Sequence, residues 1–354
     1  MYGISVFLGE DLTKETQTYI QEMSRIGVKG IFTSLHIPED NSELYAQRLR
    51  VLGEIASKNG MKLMVDISGE ALNRAGFSFE RLEEIIAIGV TGLRMDYAIS
   101  NQKIAQVSHV MDVGLNASTI TSKDVAELKR YEADFSNFEA WHNYYPRPET
   151  GLGSSFFSEK NEWLKASGFK VFAFAPGDDQ LRGPLFMGLP TLEKHRHEHP
   201  LATMIELKER FAVDGVYIGD PMISKRTMRQ LELYLNHGEL VLEVIDMGSR
   251  YYSLILGEHV NRQDDARDVI RSADARFKKI DTIVPEESIV RSLGSVTIDN
   301  SEYGRYMGEI QLTKKTLPVD KKVNVVARVV TEDQALIKRI AAGRKFKLID
   351  KGTL

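Results

Sequence analysis

The chain has 354 residues, no cysteine, 42% hydrophobic residues and a formal net charge of −4. This composition is typical of a folded globular protein, and it excludes a disulfide framework and thiolate metal sites. No long run of one charge sign and no apolar stretch near the roughly 20 residues of a membrane helix occurs, so we expect neither a nucleic-acid partner nor a membrane span. The absence of cysteine and of a signal-peptide pattern predicts a cytoplasmic location.

Eight short apolar or β-branched runs alternate with amphipathic stretches over the first two thirds of the chain. The stretch after the first run places Tyr19, Ile20 and Met23 on one stripe, as a helix packed on a core does. Such alternation predicts parallel strands joined by crossover helices, and eight units fit a closed (β/α)8 TIM barrel of the α/β class, with an open doubly wound sheet as the alternative. The runs begin near residues 3, 30, 61, 91, 113, 133, 170 and 214.

The pattern changes after His237-Gly238, where strands follow one another without obvious crossover helices. We therefore predict a barrel domain over residues 1–237 and a small, mostly β domain over residues 238–354. The predicted strands of this second domain are LVLEVIDM, YYSLILG, SVTIDN, YMGEIQLT and KVNVVARVV.

Polar residues follow the predicted barrel strands at their carboxyl ends, where (β/α)8 enzymes keep their active sites. Asp66 and Asp96 end adjacent strands about 4.8 Å apart, so their carboxyl groups are expected near the roughly 5–5.5 Å separation of a retaining glycosidase. Arg94 shares a strand face with Asp96, and a salt-bridged structural plug is the alternative to a binding site there. Further candidates at these ends are Glu10, His36, Asn116, Ser118, Glu139, Asp178 and Asp220.

The long loops after the sixth and seventh strands contain basic residues that are suited to phosphate. Arg147, Arg182 and Arg196 lie there, near the place where barrel enzymes often hold a phosphate group, although ordinary surface arginines are the alternative. The string LEKHRHEHP, which includes His195, has three alternating histidines and admits a zinc site. We favour a polar loop that leads into a helix starting at Pro200, and we predict no metal.

The string WHNYYPRPETGL makes the chain similar to the MupG-type 6-phospho-N-acetylmuramidases. ISVFL, IFTSL, VDIS, LRMD, LNAS, GLPTLEKHR and YGRYMGEIQL extend the resemblance over nearly the whole chain. The resemblance implies a (β/α)8 barrel followed by a small cyclophilin-like β domain, and it implies no metal or organic cofactor. It also implies cleavage of N-acetylmuramic acid 6-phosphate from N-acetylglucosamine inside a bacterial cell, during cell-wall recycling.

The resemblance extends to individual side chains of the predicted site. We expect Asp66 and Asp96 to do the acid and the nucleophile or base work, with the assignment between them and the oligomeric state left open. We expect the other matched residues, and two from the YGRYMG string of the second domain, to contact the phosphorylated disaccharide. The matched residues are Asn116, His142, Asn143, Tyr145, His195 and Arg196, and the two from the second domain are Tyr303 and Arg305.

Two other functions use the same predicted architecture. A phosphosugar lyase or isomerase would employ the rim carboxylates for proton abstraction, and a non-catalytic phosphosugar-binding sensor would use them for recognition alone. Dinucleotide, P-loop, zincin and serine-hydrolase motifs are absent from the sequence. No lysine ends a predicted strand, which disfavours a Schiff-base aldolase.

Overall fold

The computed structural model describes residues 1–35, 42–68, 71–273, 275 and 281–354. The chain divides into two compact units, Met1–Ser224 and Lys225–Leu354. The helix Lys225–His237 packs on the strand Leu240–Asp246 and therefore groups with the second unit, one helix before the predicted border at 237/238. The domain border itself stays a prediction.

The first unit is built on a closed barrel of eight parallel strands that pair in chain order, with the last strand pairing with the first. The predicted barrel is confirmed, and the doubly wound sheet is excluded. Each predicted run contains one strand of the barrel. The strands are β1 Tyr2–Ser5, β2 Gly30–Ser34, β3 Lys62–Ile67, β4 Gly92–Met95, β5 Asp112–Asn116, β6 Phe138–Trp141, β7 Lys170–Ala175 and β8 Gly215–Ile218.

Helices connect these strands and pack their apolar faces toward the barrel. The first helix begins where the Thr13 side chain accepts a hydrogen bond from Thr16 N, and it buries Tyr19, Ile20 and Met23 as predicted. The described helices of this unit are α1 Lys14–Arg25, α2 Ser42–Lys58, α3 Ala71–Arg74, α4 Leu82–Ala87, α5 Asn101–Ser108, α6 Ser122–Arg130, α7 Ser154–Ala166 and α8 Pro200–Arg210.

Aromatic side chains fill the barrel interior below its carboxyl rim. Trp141 stacks on Phe172 with ring centroids 4.5 Å apart, and Tyr217 contacts Trp141 at 4.7 Å. Gly3 and Gly30 make room for Tyr217, since a Cβ at either position would lie 2.1 or 1.9 Å from that side chain. The interior is therefore filled by the packing of these aromatic rings.

The second unit contains a mixed sheet of seven strands in the order β10-β15-β9-β14-β12-β13-β11. β15 runs parallel to β9, and the other described pairs are antiparallel. The mostly β character is confirmed, whereas the cyclophilin-like fold stays a prediction. The elements are α9 Lys225–His237, β9 Leu240–Asp246, α10 Tyr252–Ile255, β10 Gly257–Val260, β11 Val269–Arg271, β12 Ser295–Asp299, β13 Ile310–Thr313, β14 Val323–Val329, α11 Gln334–Ile337 and β15 Lys345–Asp350.

One strand prediction in this unit is wrong. The segment YYSLILG forms the short helix α10, and the strand β10 starts only at Gly257. The Ser249 hydroxyl accepts a hydrogen bond from Tyr251 N and begins the helical turn, while Gly257 has a φ of 105° that favours glycine. Within the described residues, no helix combines the length and apolar character needed to cross a bilayer.

Candidate active site

The carboxyl ends of β3 and β4 bring Asp66, Arg94 and Asp96 together. Asp66 and Arg94 are paired in register on the two strands. Arg94 Nη1 donates to Asp66 Oδ1 at 2.6 Å and lies 3.7 Å from Asp96 Oδ1. Both contacts involve the same nitrogen of Arg94. The distance between the two Oδ1 atoms therefore cannot exceed the sum of the two contact distances, which is about 6 Å.

The Arg94 guanidinium is buried and keeps its charge. Burial alone would lower its pKa, but the charges of Asp66 and Asp96 outweigh that effect, so the pKa is raised. Arg94 Nη2 also donates to Asn143 Oδ1 at 2.5 Å, while Nε has no hydrogen-bond partner among the described residues. A buried cation of this kind requires nearby carboxylates, because an unpaired charge away from water is very costly.

The two carboxylates have different surroundings. Ser34 Oγ donates to Asp66 Oδ2 at 3.2 Å, so both oxygens of Asp66 receive a hydrogen bond. Asp96 accepts a hydrogen bond from Asn116 Nδ2 at 2.7 Å. Its contact with Arg94, at 3.7 Å, is longer than that of Asp66. The Asp96 side chain is 25% exposed, compared with 12% for Asp66. Asp96 is therefore the less tightly held and the more solvent-accessible of the pair.

These groups open into a cavity of about 490 Å³, within the range of roughly 300–1,000 Å³ that is usual for small-molecule sites. It combines aromatic walls with a few convergent polar groups, as sugar-sized ligands require. Its lining residues are Phe32, Ser34, Asp66, Arg94, Asp96, Tyr97, His142, Asn143, Tyr144, Tyr145, Phe174 and Arg182.

Arg182 brings a second guanidinium to this cavity from the loop after β7. Its guanidinium lies 4.0 Å from the centroid of the Phe7 ring, and Nη1 donates to Tyr144 Oη at 2.7 Å. Burial raises the pKa of Tyr144, partly opposed by the Arg182 charge, so the phenol stays neutral at physiological pH. The buried Asp220 carboxylate accepts hydrogen bonds from the backbone N–H groups of Gly177, Arg182 and Leu189, and it thereby holds the loop that carries Arg182.

His142 belongs to the packing behind the cavity. Its side chain is fully buried, its Nε2 lies 2.7 Å from Asn161 Oδ1, and its ring is 4.5 Å from that of Phe157 on α7. Burial lowers the pKa of His142 to about 4, so the imidazole is neutral at physiological pH. His142 still borders the cavity, together with the three residues that follow it, Asn143, Tyr144 and Tyr145.

Arg196 is committed to the loops beside the cavity. Its Nε and Nη2 form a two-pronged ion pair with Glu193, both at 2.6 Å. Its Nη1 donates to Tyr145 O at 2.8 Å, and its Nη2 also donates to Arg147 O at 3.2 Å. Arg196 therefore positions the backbone of Tyr145 and does not line the cavity itself.

His195 lies in a buried ion network whose carboxylates could ligate a metal. The ligand atoms of His195, Glu198 and Glu206 all lie within 4.8 Å of one another. However, Glu206 already lies 2.7 Å from His195 Nε2, 2.7 Å from Lys194 Nζ and 3.2 Å from Arg210 Nη1. These partners balance its charge within the protein, which fits a structural ion network better than a metal centre.

Several predicted site residues lie away from the cavity. Glu10 and Arg147 are exposed in loops, and Asp178 accepts from the backbone N–H and the hydroxyl of Ser224. Ser118 N donates to Asn116 Oδ1, and the buried Ser118 Oγ has no partner among the described residues. Glu139 is buried in the barrel interior, where its Oε2 accepts from Trp141 Nε1.

Three further predicted residues are not among the described residues of the first unit. Tyr303 and Arg305 belong to the second unit, where Tyr303 Oη donates to Asp320 and Arg305 Nη2 donates to Tyr306. His36 lies outside the described residues.

The sequence analysis did not single out five residues that line the cavity: Phe32, Ser34, Tyr97, Tyr144 and Phe174. A signal for Tyr144 was available, since it lies within the string HNYYP. Phe32 and Ser34 share one face of β2, so the two-residue period of a strand would have found them together once the inward face was known.

Two family models match this chain. One, described as 6-phospho-N-acetylmuramidase, N-terminal, matches residues 2–233, and its C-terminal counterpart matches residues 240–349. A crystal structure of a conserved Enterococcus faecalis protein with an unknown function is 57% identical, with a TM-score of 0.94 over 100% of this chain and 97% of that one. An uncharacterized B. cereus protein is 26% identical, with a TM-score of 0.76 over 99% of each chain. No curated protein matches.

Proposed function

Because this chain belongs to the 6-phospho-N-acetylmuramidase family of glycosidases, we propose that it hydrolyses the bond between N-acetylmuramic acid 6-phosphate and N-acetylglucosamine. The observation that carries the proposal is the pair of carboxylates, Asp66 and Asp96, held by one buried arginine at the wall of a sugar-sized cavity. Glycoside hydrolysis requires two carboxyl groups on either side of one bond.

The surroundings of the two carboxylates support a division of roles. Asp66 receives a short charge-assisted hydrogen bond from Arg94 and another from Ser34, and the two contacts fix the orientation of its carboxylate. It is suited to attack the anomeric carbon. Asp96 is more exposed and has the weaker contact with Arg94, so it is suited to protonate the leaving oxygen. Water then releases the sugar from Asp66, with Asp96 taking back the proton.

The separation of the carboxylates favours retention of the anomeric configuration. The Oδ1 atoms lie at most about 6 Å apart, below the roughly 6.5–9.5 Å that an inverting enzyme uses to fit water between its carboxyl groups. A nucleophilic carboxylate at this distance leaves room for a covalent intermediate.

Arg182 is our candidate for the phosphate contact. It lies in the loop after β7, where barrel enzymes frequently bind phosphate, and its guanidinium faces the same cavity as Asp66 and Asp96. The contacts with Phe7 and Tyr144 hold the guanidinium in place without a carboxylate at hydrogen-bond distance in the described part of the chain. Such a cation is available for an anionic ligand.

The direct test is an assay of the purified protein with the phosphorylated and the unphosphorylated disaccharide in ¹⁸O-labelled water. We expect hydrolysis of the phosphorylated substrate, one labelled oxygen in the released N-acetylmuramic acid 6-phosphate, and retention of configuration by NMR. The unphosphorylated substrate should react at least about tenfold more slowly, because a lost charged hydrogen bond costs about 1.5–3 kcal/mol.

Other outcomes would contradict the proposal in recognisable ways. Exchange of carbon-bound hydrogen without cleavage would indicate an isomerase, and an unsaturated product without labelled oxygen would indicate a lyase. Tight binding of the phosphorylated disaccharide with no turnover would indicate a sensor.

A further inference from the structure

A second, smaller cavity lies beside Asp96, between the carboxyl ends of β4 and β5 and the helices α5 and α6. Its volume is about 140 Å³. Asp96 and Tyr97 line both this cavity and the larger one, so a single ligand at the carboxylate pair can extend a substituent into it. None of the functional groups assigned above uses this space.

The small cavity has both apolar and polar walls, and the polar part of its accessible lining is the larger. Met95, Ile104, Leu115 and Ile120 line it, and all four are buried. At the mouth, the Asn116 amide donates to Asp96 at 2.7 Å.

The polar groups at the far end of this cavity already have partners. Asn101 Nδ2 donates to Asp124 and to Glu127, and Asp124 also accepts from the backbone and the hydroxyl of Thr121. The cavity thus combines buried apolar side chains with amide and carboxylate groups. This lining suits a small group with one polar end and one methyl end.

The size of the cavity limits the group that it can hold. Its volume is well above the roughly 10–15 Å³ that one water requires, so a substituent of several heavy atoms fits. It is much smaller than the main cavity of about 490 Å³, so a whole sugar ring does not fit. A short acyl chain on nitrogen matches both limits.

The position of the cavity matches one substituent of an amino-sugar 6-phosphate. Arg182 contacts Phe7 and Tyr144, on the side of the barrel formed by β1, β6 and β7, whereas the small cavity lies at β4 and β5. In the closed barrel β6 is next to β5, whereas β7 and β1 lie farther round the rim from β4 and β5. In a pyranose the anomeric carbon lies between C2 and the ring oxygen that leads to C5 and C6. With the phosphate at Arg182 and the anomeric carbon at the carboxylate pair, a C2 substituent can enter the small cavity past Asp96, which lines both cavities.

We propose that this cavity receives the N-acyl group on C2 of the phosphorylated amino sugar and makes the protein selective for the length of that group. The inference rests on the proposed function. Asn116 lies beside the amide of the bound sugar, and Ile120 and Leu115 enclose the acyl methyl. Ile120 is then a specificity-determining residue.

The test uses phosphorylated disaccharides that differ only in carrying an N-acetyl, N-propionyl or N-butyryl group on the sugar with the phosphate. Ile120→Ala enlarges the small cavity, and we expect it to raise kcat/KM for the N-butyryl substrate relative to the N-acetyl one by about tenfold or more. The ratio is informative because general damage to the fold lowers both rates together.

Thr119→Phe provides the opposite change. Thr119 is exposed and lines the small cavity, so a phenyl group there narrows it without altering the core. We expect a loss of at least tenfold in kcat/KM for the N-acetyl substrate, with a greater loss for each longer acyl group. Gln102→Phe is the matched control, since Gln102 is exposed on α5 and lies outside the cavity lining.

The results separate this inference from the proposed function. If the unsubstituted protein hydrolyses the phosphorylated disaccharide but neither variant changes the ratio between acyl groups, the small cavity is not the acyl site and only this inference fails. If the unsubstituted protein hydrolyses none of the substrates, the proposed function fails and this inference fails with it.

Discussion

Arg94 connects the two candidate catalytic carboxylates, and its surroundings favour a binding site over a structural plug. Its guanidinium forms the predicted ion pairs, but Asp66, Asp96 and Asn143 all line an open cavity. The ion pairs are therefore part of the cavity wall and are not sealed beneath a filled barrel top. Replacing Arg94 would leave Asp66 without its counter-charge, so its removal would affect folding and activity together.

Asn substitutions test the carboxylates with less disturbance. Asp66→Asn and Asp96→Asn keep the side-chain shape but remove the nucleophile and the proton donor, and we expect each to lower kcat by about 10²–10⁴-fold. Single-turnover kinetics with the phosphorylated disaccharide measures the effect, and circular dichroism verifies the fold.

Asp179→Asn is the matched control for these variants, since Asp179 is an exposed carboxylate of the loop after β7 that does not line the cavity. It should retain normal turnover. A near-normal rate in Asp96→Asn would remove Asp96 from the mechanism.

Position along a strand was sufficient to predict that Asp66 and Asp96 lie near each other, while their catalytic roles stay predictions. Asp66 and Asp96 end adjacent strands, and the structure brings them to one guanidinium as that position implied. His142 and Asn143 show the limit of this reasoning. They are neighbours in one motif and both border the cavity, yet Asn143 accepts from Arg94 while the His142 ring is bonded to Asn161 and packed against α7. Sequence position alone does not reveal which partner each of two successive side chains contacts.

The loop after β7 is the element on which phosphate recognition depends in our proposal. Asp220, at the end of β8, accepts three backbone hydrogen bonds from this loop and replaces partners that the loop would otherwise need from water. In the sequence, Asp220 was a further candidate for a catalytic carboxylate. In the structure it stabilises the loop that carries Arg182.

Arg182→Met should weaken binding of the phosphorylated disaccharide specifically. Methionine retains part of the apolar contact with Phe7 but removes the charge, so we expect a loss of roughly 10- to 150-fold in kcat/KM, the equivalent of about 1.5–3 kcal/mol. The unphosphorylated substrate should change little. Steady-state kinetics with both substrates measures the difference.

Arg147→Met is the comparison for this variant, because Arg147 is the exposed arginine of the neighbouring loop and was an equal candidate from sequence. If Arg147→Met has the phosphate-specific loss and Arg182→Met does not, the phosphate lies at the other loop. An equal loss for both substrates in Arg182→Met would mean that the residue maintains loop structure only.

Strands and helices could be predicted from the sequence where a segment has a clear hydrophobic pattern. The barrel strands are short apolar runs separated by amphipathic helices, and each was found. In the second unit, Tyr252–Ile255 is apolar enough for a strand but is one helical turn. The Ser249 hydroxyl accepts from Tyr251 N in the turn just before it, and β propensity alone does not decide the structure of so short a segment. β15 was missed because charged residues alternate with its buried Phe346 and Leu348.

At the scale of the whole molecule, a barrel of eight units was predictable from the number and order of the runs. Its closure depends on contacts that no single run reveals, such as the space that Gly3 and Gly30 leave for Tyr217. The same interior contains Glu139, which sequence analysis treated as a reserve carboxylate of the rim. In the structure it has a different significance, because a buried carboxyl group makes the stability of the barrel depend on pH.

Burial raises the pKa of Glu139 to about 7, partly opposed by the hydrogen bond from Trp141 Nε1. An unfolded glutamate titrates near 4.3. Below about pH 4 the Glu139 carboxyl group is protonated in both the folded and the unfolded chain, so its ionisation does not lower the free energy of unfolding. As the pH rises toward 7 the unfolded chain loses the proton first, so the folded barrel loses stability, by roughly 3 kcal/mol once Glu139 is fully ionised.

Glu139→Gln removes this titration while leaving an amide oxygen that can accept from Trp141 Nε1. We expect the free energy of unfolding of the variant, minus that of the unsubstituted protein, to increase by roughly 3 kcal/mol between pH 4.5 and 8. Urea denaturation followed by tryptophan fluorescence reports on the barrel, because Trp141 and Trp163 both lie in the first unit. Glu162→Gln, an exposed carboxylate on α7, should show no such trend. A difference that stays constant with pH, or that decreases, would mean that Glu139 is ionised in the folded barrel throughout this range.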